Sequence, residues 1–221
     1  MAATKLSNLF ITGADHNTEW MLPWFITNYY EHNETPLRII DFGLSKQMRT
    51  RFLDRTYIDF VSPASHWFKK PSAMAHATKY AENVCWLDTD CEVKADISDI
   101  FSHIHPNKLS MVEDQPWSTR RGETWHNSGV VAFRGVPVIL NHWSQEATMM
   151  MEDRGPMYGD QDILHELVNP GMNRMIHIHT IPKQYNTLRL DLLDGTQPSN
   201  IKIMHWTGKK GKEEIRKQMN E

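Results

Sequence analysis

The chemistry with the clearest address in this chain is the pair Asp88 and Asp90, one residue apart, directly after the apolar run Val84-Cys85-Trp86-Leu87. Side chains alternate along a strand. On an extended continuation both carboxylates therefore leave the same face, roughly 6–7 Å apart along the backbone. Hard oxygen donors at that spacing suit a divalent cation such as Mg2+ or Mn2+. Far along the chain, His205 lies in a second strand-like run, Ile201 to Trp206. A neutral imidazole added to two carboxylates tilts the preference toward Mn2+. The candidate metal set is thus Asp88, Asp90 and His205, with Thr89 between the first two. Just beyond His205, Gly208 lets backbone approach a phosphate closely, and Lys209 and Lys210 can pair with phosphate oxygens.

Three further groups carry donors and acceptors. Asn127-Ser128, before Gly129, offers both kinds of group to sugar hydroxyls. Asp160-Gln161-Asp162 opens a predicted helix; the dipole and capping favour acidic residues there, but two carboxylates flanking an amide are more than capping needs. Thr12 and Gly13 close the first predicted strand, and Asp15 and Asn17 follow in the turn that meets the nucleotide in a doubly wound sheet. No glycine-rich fingerprint is present, which argues against Rossmann-type dinucleotide binding. Each group has a plain structural reading beside the functional one: carboxylates ending a strand, a basic tail, a turn before a strand, helix caps. The pairs His103/His105 and His177/His179 read as surface or core histidines, and Cys85 and Cys91 have no thiolate-activating context.

The elements that must position these residues follow from the pattern. Strands are predicted at Asn8–Thr12 (ended by Gly13), Leu37–Phe42, Tyr57–Val61 and Val84–Asp90. Helices between them are predicted at Glu19–Tyr30 with Thr18 as cap, Ser45–Leu53, and Pro71 to about Tyr80. This β-α-β-α-β-α-β order argues for a parallel sheet covered by helices. Beyond Asp90 the pattern predicts a helical turn at Asp96–Phe101, a strand at Leu109–Val112 and a long polar loop from Glu113 to His126. A strand at Gly129–Phe133 follows, then a helix from Val138 to Glu152 with Met149, Met150 and Met151 as core filler, broken at Gly155-Pro156. The remaining elements are a helix from Asp160 through Leu167 stopped by Asn169-Pro170-Gly171, strands at Ile176–Ile181 and Ile201–Trp206, and a short helix in the tail from Lys209 to Glu221.

Composition narrows the class. The 221 residues suit one domain with a substantial core. A net charge of -3 gives no basic surface for nucleic acid. No apolar run approaches the about 20 residues of a membrane span. Leu6 to Ile11 is too short and too soon interrupted for a secretory signal. Two cysteines offer no disulfide framework, so the expected setting is the reducing cytoplasm.

In chain order these segments resemble glycosyltransferases of the GT-A fold, most of all glycosyltransferase family 8, which includes glycogenin and bacterial lipooligosaccharide galactosyltransferases. The resemblance rests on Leu87-Asp88-Thr89-Asp90, Asp96-Ile97-Ser98-Asp99-Ile100-Phe101, Asn127-Ser128-Gly129, Asp160-Gln161-Asp162-Ile163-Leu164 and His205-x-x-Gly208. It implies a Rossmann-like α/β/α sandwich with a mostly parallel central sheet and a smaller antiparallel acceptor-side region. Residues 1–90 would form the nucleotide-binding half, 91–208 the acceptor and catalytic half, and 209–221 a charged tail. It further implies Mn2+ on Asp88, Asp90 and His205, a UDP-sugar donor, a glycan or other hydroxyl acceptor, and transfer with retention. Asp15 and Asn17 would lie near the uridine, Lys70 would contact the donor, and Asp160, Gln161 and Asp162 would face the donor sugar. The chain departs from the family where Gly211 replaces a lysine and no Pro-Trp follows. The phosphate lysine is then Lys209, Lys210 or Lys212. Two other classes share some of these features: a phosphotransferase of the haloacid-dehalogenase type, and a nucleotide-sugar-binding module without catalysis. The first places its Asp-x-Asp on an early strand before small residues, whereas here the pair follows three predicted strands and leads into Cys91-Glu92-Val93-Lys94.

Overall fold

The structure is a computed structural model that describes residues 4–57, 60–149, 158–169 and 172–220. The chain runs β1 (Leu6–Ala14), α1 (Leu22–His32), β2 (Leu37–Asp41), α2 (Lys46–Arg51), β3 (Thr56–Tyr57), α3 (Lys70–Ala77) and β4 (Ala81–Leu87). It continues through β5 (Cys91–Val93), β6 (Leu109–Glu113), α4 (Gln115–Arg121), β7 (His126–Arg134), α5 (Val138–Met149), α6 (Asp160–Val168), α7 (Asn173–His177) and β8 (Ile178–Thr180). The last elements are β9 (Thr187–Leu188), α8 (Arg189–Asp194), β10 (Ile203–His205) and α9 (Gly208–Gln218).

Seven strands form the main sheet in the order β3-β2-β1-β4-β7-β6-β8. The first four are parallel, β7 is antiparallel to both β4 and β6, and β8 is parallel to β6. Alternation sends Leu9, Ile11, Val84 and Trp86 to one face, where α3 and α5 cover them. Phe10, Cys85 and Leu87 go to the other, against α1. Burial on both faces is why β1 and β4 read as continuous apolar runs. The expected α/β sandwich with a mostly parallel sheet is therefore present. A smaller sheet of β5, β10 and β9 sits beyond the carboxyl end of β4, with β10 antiparallel to β5 and parallel to β9.

Several local expectations are corrected. Gly13 does not stop the first strand but lies inside β1. A Cβ there would come within 2.6–2.9 Å of the Phe42 and Trp86 rings, so the glycine answers a packing need. Thr18 makes no capping bond; a short 3-10 turn precedes α1, whose first turn holds Pro23. The third strand is only Thr56–Tyr57, and Ile58 and Asp59 lie outside the described residues. β4 stops at Leu87, so Asp88 and Asp90 do not converge by strand alternation. They stand in a tight turn closed by the Cys91 N–H donating to the Asp88 carbonyl at 3.0 Å.

The expected loop from Glu113 to His126 contains α4. Asp114 caps it by accepting from the Trp117 N–H at 3.0 Å, Pro116 sits in its first turn, and Gly122 ends it at φ 70°. Asn127 and Ser128 belong to β7 rather than to a turn before it. The run from Ile176 to Ile181 is divided between α7 and β8. β5, β9 and α8 were not anticipated; β5 and β9 are too short for a period to show, and α8 is a six-residue helix. Met149 is 65% exposed and fills no core. Met150, Met151, Glu152, Gly155, Pro156, Pro170 and Gly171 lie outside the described residues. α6 and the terminal helix α9 stand close to where they were expected.

Candidate functional site

A cavity of about 580 Å³ opens beside the carboxyl ends of β1 and β4, lined among others by Gly13, Asp15, Asn17, Trp86, Asp88 and Asp90. On its β1 side Asp15 organises a small turn. One carboxylate oxygen accepts from the N–H groups of Asn17 and Thr18 at 3.0 and 3.1 Å and from the Thr18 hydroxyl at 2.9 Å. The other accepts from the Asn17 amide at 3.4 Å. Asp15, rather than Thr18, is the capping group.

On the β4 side the turn after Leu87 is held from below, the Asp88 N–H donating to the Gly129 carbonyl at 2.8 Å. The Trp86 indole donates to Asp88 Oδ1 at 2.6 Å. Pairing of β10 with β5 sets His205 opposite Cys91, one residue past Asp90. His205 Nε2 thereby comes within 3.1 Å of Asp90 Oδ1 and 3.9 Å of Asp88 Oδ2. Each of the three residues offers an atom within 4.8 Å of the others, so Asp88, Asp90 and His205 can hold a metal ion. The donor set fits a divalent cation: two carboxylates and one imidazole, whose far nitrogen Nδ1 stands 3.0 Å from the Asn186 side-chain oxygen.

Two lysines border this group. Lys212 Nζ lies 3.0 Å from Asp90 Oδ2. Burial opposes the charge of Asp90, but the neighbouring His205 and Lys212 outweigh it and hold its carboxyl below the usual range. Lys70 is buried with its Nζ 3.0 Å from Asp88 Oδ1, 3.1 Å from Asp160 Oδ2, and 3.2 Å from both the carbonyl and the hydroxyl of Ser128. Burial disfavours the ammonium, yet Asp160 and Asp88 more than offset this and raise its pKa. Burial pushes the Asp160 carboxyl up despite Lys70 at 3.1 Å from its Oδ2.

Of the residues singled out from sequence, the cavity wall contains Gly13, Asp15, Asn17, Lys70, Asp88, Thr89, Asp90 and Asp160. Thr12 is fully buried beneath it. Asn127 and Ser128 lie behind the wall, where the Asn127 amide and the Ser128 N–H both donate to Gln161 Oε1 at 3.1 Å. Asp162 caps its own helix by accepting from the Gly159 N–H at 2.8 Å. His205 is buried behind the carboxylates. Gly208 takes φ 72° at the start of α9, away from the wall, and Lys209 and Lys210 are exposed. Of the three lysines Lys212 alone reaches the cavity. A Cβ at Gly211 would run into the backbone of Trp206, which explains the departure from the family pattern at that position. Met21, Phe42, His66, Trp67 and Trp86 also line the cavity without having been singled out. Trp86 was within reach, since alternation along β4 aims it at the face that Gly13 leaves open.

No protein-family profile matches the sequence, and no curated protein does either. Solved structures do. The galactosyltransferase LgtC, determined with donor and acceptor sugar analogs, superposes with TM-score 0.61 at 15% identity over 90% of this chain and 87% of its own. The glycosyltransferase GlyE of Streptococcus pneumoniae TIGR4 gives 0.63 at 15%, over 93% of this chain and 55% of that one. A glycosyltransferase involved in glycosylation of the major capsid of PBCV-1 gives 0.59 at 14%, over 97% and 100%. At such identities the shared feature is architecture, and the architecture of this chain is the GT-A glycosyltransferase fold, resembling that of glycosyltransferase family 8.

Proposed function

We propose that this protein transfers a sugar from a UDP-sugar to an acceptor hydroxyl, with retention and with Mn2+ (Mg2+ as substitute) on Asp88, Asp90 and His205. The observation that carries this reading is the convergence of two carboxylates, an imidazole and Lys212 at one side of a 580 Å³ cavity at the carboxyl ends of a parallel sheet. The residues before Asp90 supply the nucleotide side, with Asp15 and Asn17 toward the base. A bound divalent ion supplies charge neutralisation at the diphosphate as the glycosidic bond breaks. Lys212 adds a second positive charge there, in the part left open among Lys209, Lys210 and Lys212. Lys70 holds Asp88 and Asp160 in place. Gln161 directs its oxygen inward to Ser128 and Asn127, so Asp160, which lines the cavity with its Oδ2 paired to Lys70, is the group assigned to the sugar side. Its carboxylate opposes the positive charge that develops as the bond to the leaving group lengthens. Cys85 and Cys91 are free and buried, which supports a reducing, cytoplasmic setting. Among the described residues no helix is long and apolar enough to cross a membrane.

The test is a thermal-shift screen of UDP-, GDP- and ADP-sugars with and without Mn2+. A UDP-sugar together with Mn2+ should raise the unfolding temperature by mass action, and Asp90→Ala should abolish the shift. Equal shifts in wild type and Asp90→Ala would refute the site. A shift without transfer or hydrolysis of the donor would favour a binding module.

A further inference from the structure

Behind the cation group lies an unbroken chain of buried amides. Its orientation is fixed from one end by a backbone group that can only donate. The Gly129 N–H donates to Asn127 Oδ1 at 2.9 Å, so the oxygen of that amide faces inward and its nitrogen faces Gln161 and Asp114. The same Asn127 oxygen receives the Asn186 Nδ2 at 2.9 Å. Asn186 must therefore turn its Oδ1 the other way, where it stands 3.0 Å from His205 Nδ1. A carbonyl oxygen accepts only, so Nδ1 carries the proton. All three side chains are buried, Asn186 completely. Water is thus poorly placed to replace a missing partner.

We propose that Asn186 is a positioning residue: it holds the Nδ1 proton of His205 and so presents the Nε2 lone pair to the cation shared with Asp88 and Asp90. This rests on the cation site proposed above. An imidazole binds a metal through one nitrogen, and the bond made by the other decides which. Without Asn186 the proton is free to sit on Nε2, where it faces Asp90 and blocks the cation. Asn127 acts one step further back, since its amide sets which way Asn186 points. Gly129 completes the device by leaving room for the ring: a Cβ there would overlap His205.

The experiment compares Mn2+ binding by calorimetry, without nucleotide, in wild type, Asn186→Leu, Asn186→Asp and Asp90→Ala. Leucine matches the volume but accepts nothing, and roughly a tenfold to hundredfold loss of affinity is expected. Aspartate keeps an acceptor for the Nδ1 proton but loses the donor to Asn127 Oδ1, so its loss should be clearly smaller than that of leucine. Nitrogen NMR of the imidazoles in the Cd2+-loaded wild type should show cadmium on Nε2 and the proton on Nδ1 of His205. Equal affinity in wild type and Asn186→Leu would overturn the role of Asn186, as would equal losses in the Leu and Asp variants or cadmium on Nδ1. Should Asn186→Leu fail to fold, Asn186→Ala carries the same expected loss. A wild type that takes up no Mn2+ removes the cation site and this role together. A wild type that binds, with Asp90→Ala that does not, keeps the site and leaves Asn186 to be judged by its own variants.

Discussion

The wall of the cavity and the stack behind it are built on opposite terms. In the wall, full charges meet: Lys70 between Asp88 and Asp160, Lys212 on Asp90. In the stack, neutral amides meet: Asn186, Asn127 and Gln161, joined oxygen to N–H with one answer for each orientation. Charge gives the wall strength without direction, because an ammonium has no preferred partner among several carboxylates. The amides give direction with little strength, since each bond nets about 0.5–1.5 kcal/mol. A cation site needs both, charge to attract the ion and direction to aim the ligand.

The largest expected loss of stability comes from the wall. Lys70→Met strands two carboxylates around a buried gap and should cost about 3–5 kcal/mol in urea unfolding, with Asp160→Asn added on top restoring part of it. A cost under about 1 kcal/mol would mean that water screens the cluster.

The next effect depends on pH and lies one residue before Asn127, on the His126 side chain that meets Thr180 and Arg174. Burial, and then Arg174 and His165, push the His126 imidazole down to about 4. Between about 6.5 and about 4 the unfolded chain takes up a proton that the folded one refuses, so stability falls as pH falls through that window, by roughly 2–3 kcal/mol. Urea titrations across this range should show the slope in wild type and a shallower one in His126→Gln.

Gly129→Ala sharpens the contrast more finely. The added methyl meets the His205 ring, so Mn2+ binding in calorimetry should be lost while stability drops by only about 1–3 kcal/mol. Smallest is Asp15→Ala at the other side of the wall, expected to cost about 1 kcal/mol as a lost cap and to weaken the UDP-dependent thermal shift.

Legibility from sequence follows the same line. The parallel strands β1, β2 and β4 announce themselves because both faces are largely buried, and Asp88, Asp90 and Asp160 show because carboxylates at element ends are conspicuous. What carries them into place is less visible. The turn after Leu87, not strand alternation, brings Asp88 and Asp90 together, and no pattern of period two reports a turn. α4 was hidden by polar composition, although Asp114, Pro116 and Gly122 are the stop and start signals of a helix. His205 shows as a histidine at a strand end, although its neighbours in space are far away in sequence. Asn186 left no trace: its partners Asn127 and His205 lie 59 and 19 residues away, and β9 beside it has only two residues.

The pairing of β10 with β5 also sets an order of events. His205 and Asp90 are 115 residues apart in the chain, so synthesis delivers the two carboxylates long before the imidazole exists. Closures over such distances wait until nearer contacts have already formed. The parallel strands and Lys70 can assemble while the proposed cation site still lacks its third ligand. On the proposed cation site, a nascent chain would gain its structure first and its affinity for the ion last, when Ile203–His205 docks against Cys91–Val93.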